Sequence, residues 1–148
     1  MTVKQHVDHW VTSSGESLKD MEASIVSKRR SLALFSAHQS IEKILKALLA
    51  AQNKQIIHTH KLTSLAFLCG LKLDHIQQAE LTEITGFYIA AKYSSVKSQF
   101  HQQCTPQYVD TWAKITRTWR KYLKKQALQE RANVISGTLA AFPENTFL

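Results

Sequence analysis

Residues 35–49 read FSAHQSIEKILKALL, and after a gap from Ala50 to Thr59 the chain continues His60-Lys61-Leu62. Wound at about 100° per residue, Leu34, Ile41, Leu45 and Leu48 fall on one side of a helix. Gln39, Glu42 and Lys46 form a polar ridge along the flank of that stripe. Glu42 stands four residues before Lys46, the favourable order for a helical ion pair. A helix of this kind packs with one side while holding ordered polar groups beside the packed seam. The middle of the chain is thereby committed to a helical core.

The rest of the chain follows the same period, with no convincing strand and no internal repeat. A first helix is expected over 2–27, where Val7, Val11, Leu18, Met21 and Ile25 approach a heptad stripe and Gly15 is a weak point. Lys28-Arg29-Arg30-Ser31 interrupts the apolar pattern and marks a turn. A second helix over 31–53 ends at the polar stretch Asn53-Lys54-Gln55, and 56–59 form a connecting loop. Thr59 is a candidate N-cap for a short third helix that stops near Gly70. Asp74 can cap a fourth, with Leu81, Ile84, Phe87, Tyr88 and Ala91 at helical spacing. The irregular stretch 93–105 reads as a surface loop. Pro106 suits the first turn of a fifth helix, in which Trp112, Ile115, Trp119, Tyr122 and Leu123 make an apolar stripe. The expected fold is all-α: an up-and-down bundle of four to five helices occupying residues 1–131. Residues 132–148 form a tail whose Val134, Ile135, Leu139, Phe142 and Phe147 are apolar enough to dock on the bundle or on another chain.

Length and composition agree. A chain of 148 residues suits one domain, and four glycines and two prolines favour compact helices over a strand-and-turn or disordered chain. Two cysteines make no disulfide framework, so a reducing cytoplasm is expected. The start MTVKQHVDHW lacks the apolar core of a signal peptide, and no stretch approaches a membrane span. The net charge of +8 points to phosphate-bearing or acidic partners. Its excess gathers between Lys114 and Arg131, where seven cations face Glu130 alone. Lys114, Arg117, Lys121 and Lys124 lie opposite the apolar stripe and form a candidate nucleic-acid face.

Glutamine, then Glu-Lys, then Lys-Ala-Leu-Leu, then a histidine-Xaa-Leu after a loop resembles the HEPN domain (higher eukaryotes and prokaryotes nucleotide-binding). The resemblance extends from Trp10 to about Leu123. It implies a helical bundle, and homodimers or complexes in which paired helices face a shared cleft. Many members are metal-independent endoribonucleases, in which an arginine precedes a histidine by four to six intervening residues. The histidine can move the 2′-hydroxyl proton of RNA while the arginine stabilises charge on the phosphate. Here Arg30 precedes His38 with seven residues between them and Arg29 with eight, so the motif is absent as written. Lys97 precedes His101 with three between, and lysine lacks the bidentate phosphate grip of arginine. A second branch of the family partners a small nucleotidyltransferase and resembles the helical domain of kanamycin nucleotidyltransferase. It commonly reads Arg-Tyr-Pro after the fourth helix, where this chain has Lys92-Tyr93-Ser94. It also often has Asp-Leu where Ser17-Leu18 stands.

The resemblance therefore implies a non-catalytic module that binds a nucleotide, RNA or a small nucleotidyltransferase, with a toxin–antitoxin pair as one setting. Gln39, Glu42, Lys46, His60, Lys92 and Tyr93 are the candidate ligand- or partner-binding residues. The first three read equally as a network inside the bundle, His60 as a helix-start residue, and His38 as a hydrogen-bonded core histidine. The alternative is a ribonuclease with a diverged pair, His101 and Lys97. His58-Xaa-His60 and His101-Xaa-Xaa-Cys104 have partial metal spacing without further ligands, so no metal is expected. No glycine-rich phosphate loop occurs, and no cofactor is expected.

Overall fold

The computed structural model describes residues 1–135 and arranges them as six α-helices: α1 (Val3–Val26), α2 (Arg30–Ala51), α3 (Leu62–Leu68), α4 (His75–Lys92), α5 (Ser94–Gln103) and α6 (Pro106–Ile135). The expected tail divides accordingly: 132–135 continue α6, and 136–148 lie outside the described residues. The centre of the bundle is α2. From Ala33 to Ala51 it is buried on nearly every side, and all five other helices pack against it. Ile41, Ile44, Leu45, Leu48 and Leu49 form its apolar body. The chain enters α2 through Lys28 and leaves it through Asn53, both in the left-handed region at φ 62° and 56°. Two hydrogen-bonded boxes begin the outer helices. Thr2 exchanges bonds with Gln5 at the head of α1, and Asp74, as expected, does so with Gln77 at the head of α4.

α1 lies along α2 through small residues. Ser14 donates to the Ser40 carbonyl at 2.8 Å, and Ser40 donates back to the Ser14 carbonyl at 3.1 Å. Its buried face is Val7, Ser14, Ser17, Met21 and Ser24, while Val11, Leu18 and Ile25 of the expected stripe are only partly covered. Gly15, whose intrinsic cost made it a weak point, does not interrupt α1. It serves instead as a contact, because a Cβ there would stand 3.2 Å from the Arg120 guanidinium.

Three further expectations are corrected. The bundle has six helices rather than four to five, because 94–103 form α5 rather than a loop. Val96, Phe100 and Cys104 recur every fourth residue and cover Phe87, whose ring lies 5.8 Å from that of Phe100. The intervening Ser, Lys and Gln disguise this short stripe, and extended Tyr93 separates it from α4. Thr59 does not cap α3, whose first helical residue is Leu62; its hydroxyl accepts from the Lys61 amide instead. On α6 the buried face is turned about 80° from the expected stripe. It consists of Val109, Ala113, Thr116, Leu123 and Ala127, with Trp119 at its edge, Trp112 and Ile115 half-covered and Tyr122 exposed. Small side chains let α6 approach α2 closely, and the aromatic rings wedge sideways towards α4. Gly70 ends α3 at φ 76°, and Pro106 opens α6, both as expected.

Candidate functional site

The polar ridge of α2 meets the loop between α2 and α3 in a carboxylate–histidine pair. Glu42 is buried, and one carboxylate oxygen lies 2.6 Å from His60 Nδ1 while the other accepts from Lys46 Nζ at 3.0 Å. Burial alone would raise this carboxyl, but hydrogen bonds from His60 and Lys46 outweigh it and hold Glu42 below the usual carboxylate range. Lys46 is itself buried and sits 5.2 Å from the centre of the Trp10 ring on α1. An ionised carboxylate can only accept, so His60 donates from Nδ1 and its free chemistry lies at Nε2.

His38 anchors the same loop from below. It is fully buried, and Nε2 lies 2.8 Å from the His60 carbonyl, which can only accept. Burial holds its pKa below the ordinary histidine value, so the ring is neutral with its proton on Nε2. On its other side, Nδ1 lies 3.1 Å from the Gln39 side-chain oxygen Oε1. His38 is the hydrogen-bonded core residue the sequence suggested.

Tyr88 of α4 completes the site. Its ring stacks on His60 at 3.9 Å between centroids and 21° between planes, and on Phe35 at 6.1 Å and 22°. Lys92, one turn further, lies 5.6 Å from the Tyr88 ring centre. The row His60, Tyr88, Phe35 leads into a groove of about 380 Å³ between α2, α4 and α5. Ser31, Leu32 and Phe35 line one wall, and Lys92, Lys97 and His101 stand at the other.

The structure therefore gathers five of the six expected binding residues into one neighbourhood. Gln39, Glu42 and Lys46 sit inside it as supports, while His60 and Lys92 reach its surface. Tyr93 is exposed beside them. Lys97 and His101 are one helical turn apart on α5 and share the groove. The four basic residues of α6 lie elsewhere and are partly committed. Arg117 makes a two-pronged pair with Glu22 of α1 at 2.6 and 2.8 Å, and Lys114 pairs with Asp110. Lys121 is exposed and Lys124 half-exposed. A hollow of about 460 Å³ between α4 and α6 includes Lys114, with Trp119 and Tyr122, but no histidine. Among the described residues no group of three or more His, Cys, Asp or Glu side chains is placed to hold a metal ion, and no helix is long and apolar enough to cross a membrane.

Sequence reasoning missed the roles of Trp10, Phe35 and Tyr88. Tyr88 had a signal, because it precedes Lys92 by four residues and so shares its face of α4. Trp10 had none, since its place over Lys46 depends on how α1 lies across α2.

Fold and site together define an all-helical bundle whose central helix carries a buried, charge-compensated Glu–Lys pair and holds a histidine at the surface. The family model for the HEPN domain matches residues 7–126. The chain belongs to the HEPN domain family. No curated protein and no solved structure matches it significantly.

Proposed function

We propose that this chain is a non-catalytic HEPN module that binds a nucleotide or RNA at the His60–Tyr88–Lys92 surface. The observation that carries this reading is the ring of His60, fixed by Glu42 at Nδ1 and stacked on Tyr88, with the Lys92 ammonium beside it. The half-exposed imidazole of His60, backed by the Tyr88 ring, can accept a base, and the neighbouring ammonium can meet its phosphate. The missing arginine–histidine spacing supports binding without cleavage. The same surface serves a second role in the proposal, as the contact for a small nucleotidyltransferase within a toxin–antitoxin pair. Assembly as a homodimer or with that partner belongs to this reading, and sedimentation across a wide concentration range tests it.

The binding test uses fluorescence anisotropy with a labelled single-stranded RNA and with ATP as competitor. His60→Ala, Tyr88→Leu and Lys92→Glu should each weaken binding by about tenfold, at a cost of 1–3 kcal/mol per lost stack or phosphate contact. Equal binding by all three variants would remove this surface from the argument. If charge reversal of Lys114, Arg117, Lys121 and Lys124 abolished binding instead, the ligand would belong on α6.

One observation favours a second reading. Lys97 and His101 face the same groove one turn apart, a cation and a base within reach of one phosphate. Purified protein is expected to leave RNA intact. Cleavage that disappears on His101→Ala would establish the ribonuclease reading.

A further inference from the structure

Two long stretches of this chain carry no carboxylate: none lies between Glu22 and Glu42, and none between Glu83 and Asp110. The fold brings both to the same end of the bundle. The turn after α1 holds Lys28 and Arg29, and α2 opens on Arg30; the last turn of α4 holds Lys92; α5 holds Lys97 and His101. The first turn of α2, through Ser31 and Leu32 next to Arg30, is one wall of the 380 Å³ groove that Lys92, Lys97 and His101 rim. Acidic residues that border this end are already engaged. Glu22 holds Arg117, and Glu83 accepts from the Tyr108 hydroxyl. None of Lys28, Arg29, Arg30, Lys92 and Lys97 is paired with a carboxylate among the described residues.

The floor of the groove differs in chemistry from its rim. It is built from Leu32, Phe35, Ala90, Ala91 and Phe100. Leu32 of this floor is 44% exposed, so water reaches an apolar side chain there. An apolar floor with cations at its edges selects a ligand that is apolar on one side and anionic along its borders. A second copy of the chain is the wrong occupant, because symmetric contact would set the same five cations against each other. Nucleic acid suits the rim, but the floor's two rings are taken up within the bundle, Phe100 buried against Phe87 and Phe35 stacked on Tyr88, and its most exposed side chain is Leu32; a concave groove does not fit a flat lipid surface.

We propose that this groove docks an acidic, amphipathic helical segment of a partner protein. Apolar residues of the segment enter between α2 and α5, and its Asp and Glu side chains pair with Arg29, Arg30, Lys92 and Lys97 at the rim. The site adjoins the His60–Tyr88 surface, with which it shares Lys92 and, through its stack on Tyr88, the Phe35 ring.

The test is a titration of the full chain with a fluorescein-labelled helical peptide of about fifteen residues, long enough to hold a helix, with one leucine face flanked by glutamates. A scrambled peptide of the same composition, a glutamine-for-glutamate peptide, single-stranded RNA and phosphatidylserine vesicles are the comparisons. The glutamate peptide should bind, and both scrambling and neutralisation should weaken it by about tenfold or more. Arg29→Glu combined with Lys97→Glu, both on exposed positions, should weaken it by at least as much without lowering the melting temperature. Leu32→Asp should do the same through the floor. His60→Ala should leave peptide binding within about twofold, which separates this proposal from the nucleotide-binding one. Failure of the glutamate peptide to bind, equal binding of the scrambled peptide, or tighter binding of RNA or vesicles with the same sensitivity to Arg29 and Lys97 would each overturn it.

Discussion

A lysine can keep its charge inside a helical bundle only where a counter-charge stands at hydrogen-bonding distance, and Lys46 has the Glu42 carboxylate on one side and the Trp10 ring on the other. Lys46→Met would leave a buried carboxylate with His60 alone. The expected loss is about 3 kcal/mol, the lower end for breaking a buried pair, measured by urea unfolding. A loss under about 0.5 kcal/mol would mean that water reaches Glu42 and that the network positions nothing. His38 makes the second residue-scale prediction. A histidine held below its unfolded value resists protonation in the folded state, so its contribution is complete above pH about 6.5 and shrinks as pH falls through that value. Stability of His38→Gln should therefore vary less than that of the parent below pH 6.5, and an unchanged slope would show that His38 is not the group responsible. The Glu42–Lys46 pair was legible in the sequence because it lies within one helix. The bond from Glu42 to His60 was not, because it depends on where the α2–α3 loop comes to rest.

At the scale of elements, the contact between α1 and α6 turns on a glycine and an arginine. Arg120 stands in the middle of the buried face of α6 and sends its guanidinium to Ser14 Oγ at 3.0 Å and towards the Val11 carbonyl at 3.4 Å. Gly15 leaves room for it. Alanine at 15 should gain the usual helix preference of about 1 kcal/mol but must displace a guanidinium held at two points. In an Arg120→Ala background, Gly15→Ala should therefore stabilise the protein by about 1 kcal/mol, and in the parent by clearly less. Equal gains in both backgrounds would show that the close approach costs nothing. The rotation of α6 explains why its aromatic stripe misled. Trp112, Trp119 and Tyr122 are among the largest side chains on the helix, and periodicity weights them most. The packed seam uses Ala113, Thr116 and Ala127 because only small residues admit α2 at that distance. α5 escaped notice for the opposite reason, since its stripe has only Val96 and Phe100 before Cys104.

For the whole molecule, the helical class, the capping of α4, the end of α3 at Gly70 and the packed apolar side of α2 could all be read from the chain. Each rests on local spacing or on a single cap. How helices face one another could not be read, because rotation about a helix axis is decided by the partner's surface. Leu45 tests the core directly. It is fully buried at the centre of α2, and Leu45→Ala should cost about 2–5 kcal/mol by chemical denaturation. A near-neutral outcome would place the core on another side of α2.

The enclosure of α2 also governs how the native protein opens. Peripheral α5 touches little beyond α4 and the head of α2, so its amide hydrogens can exchange with solvent deuterium through a local excursion. The amides of Ile41 to Leu49 have no such route, because freeing them requires parting α2 from α1 and α6 together. Their exchange should report the free energy of global unfolding and respond to denaturant with the full equilibrium slope, while that of α5 should be nearly indifferent to it.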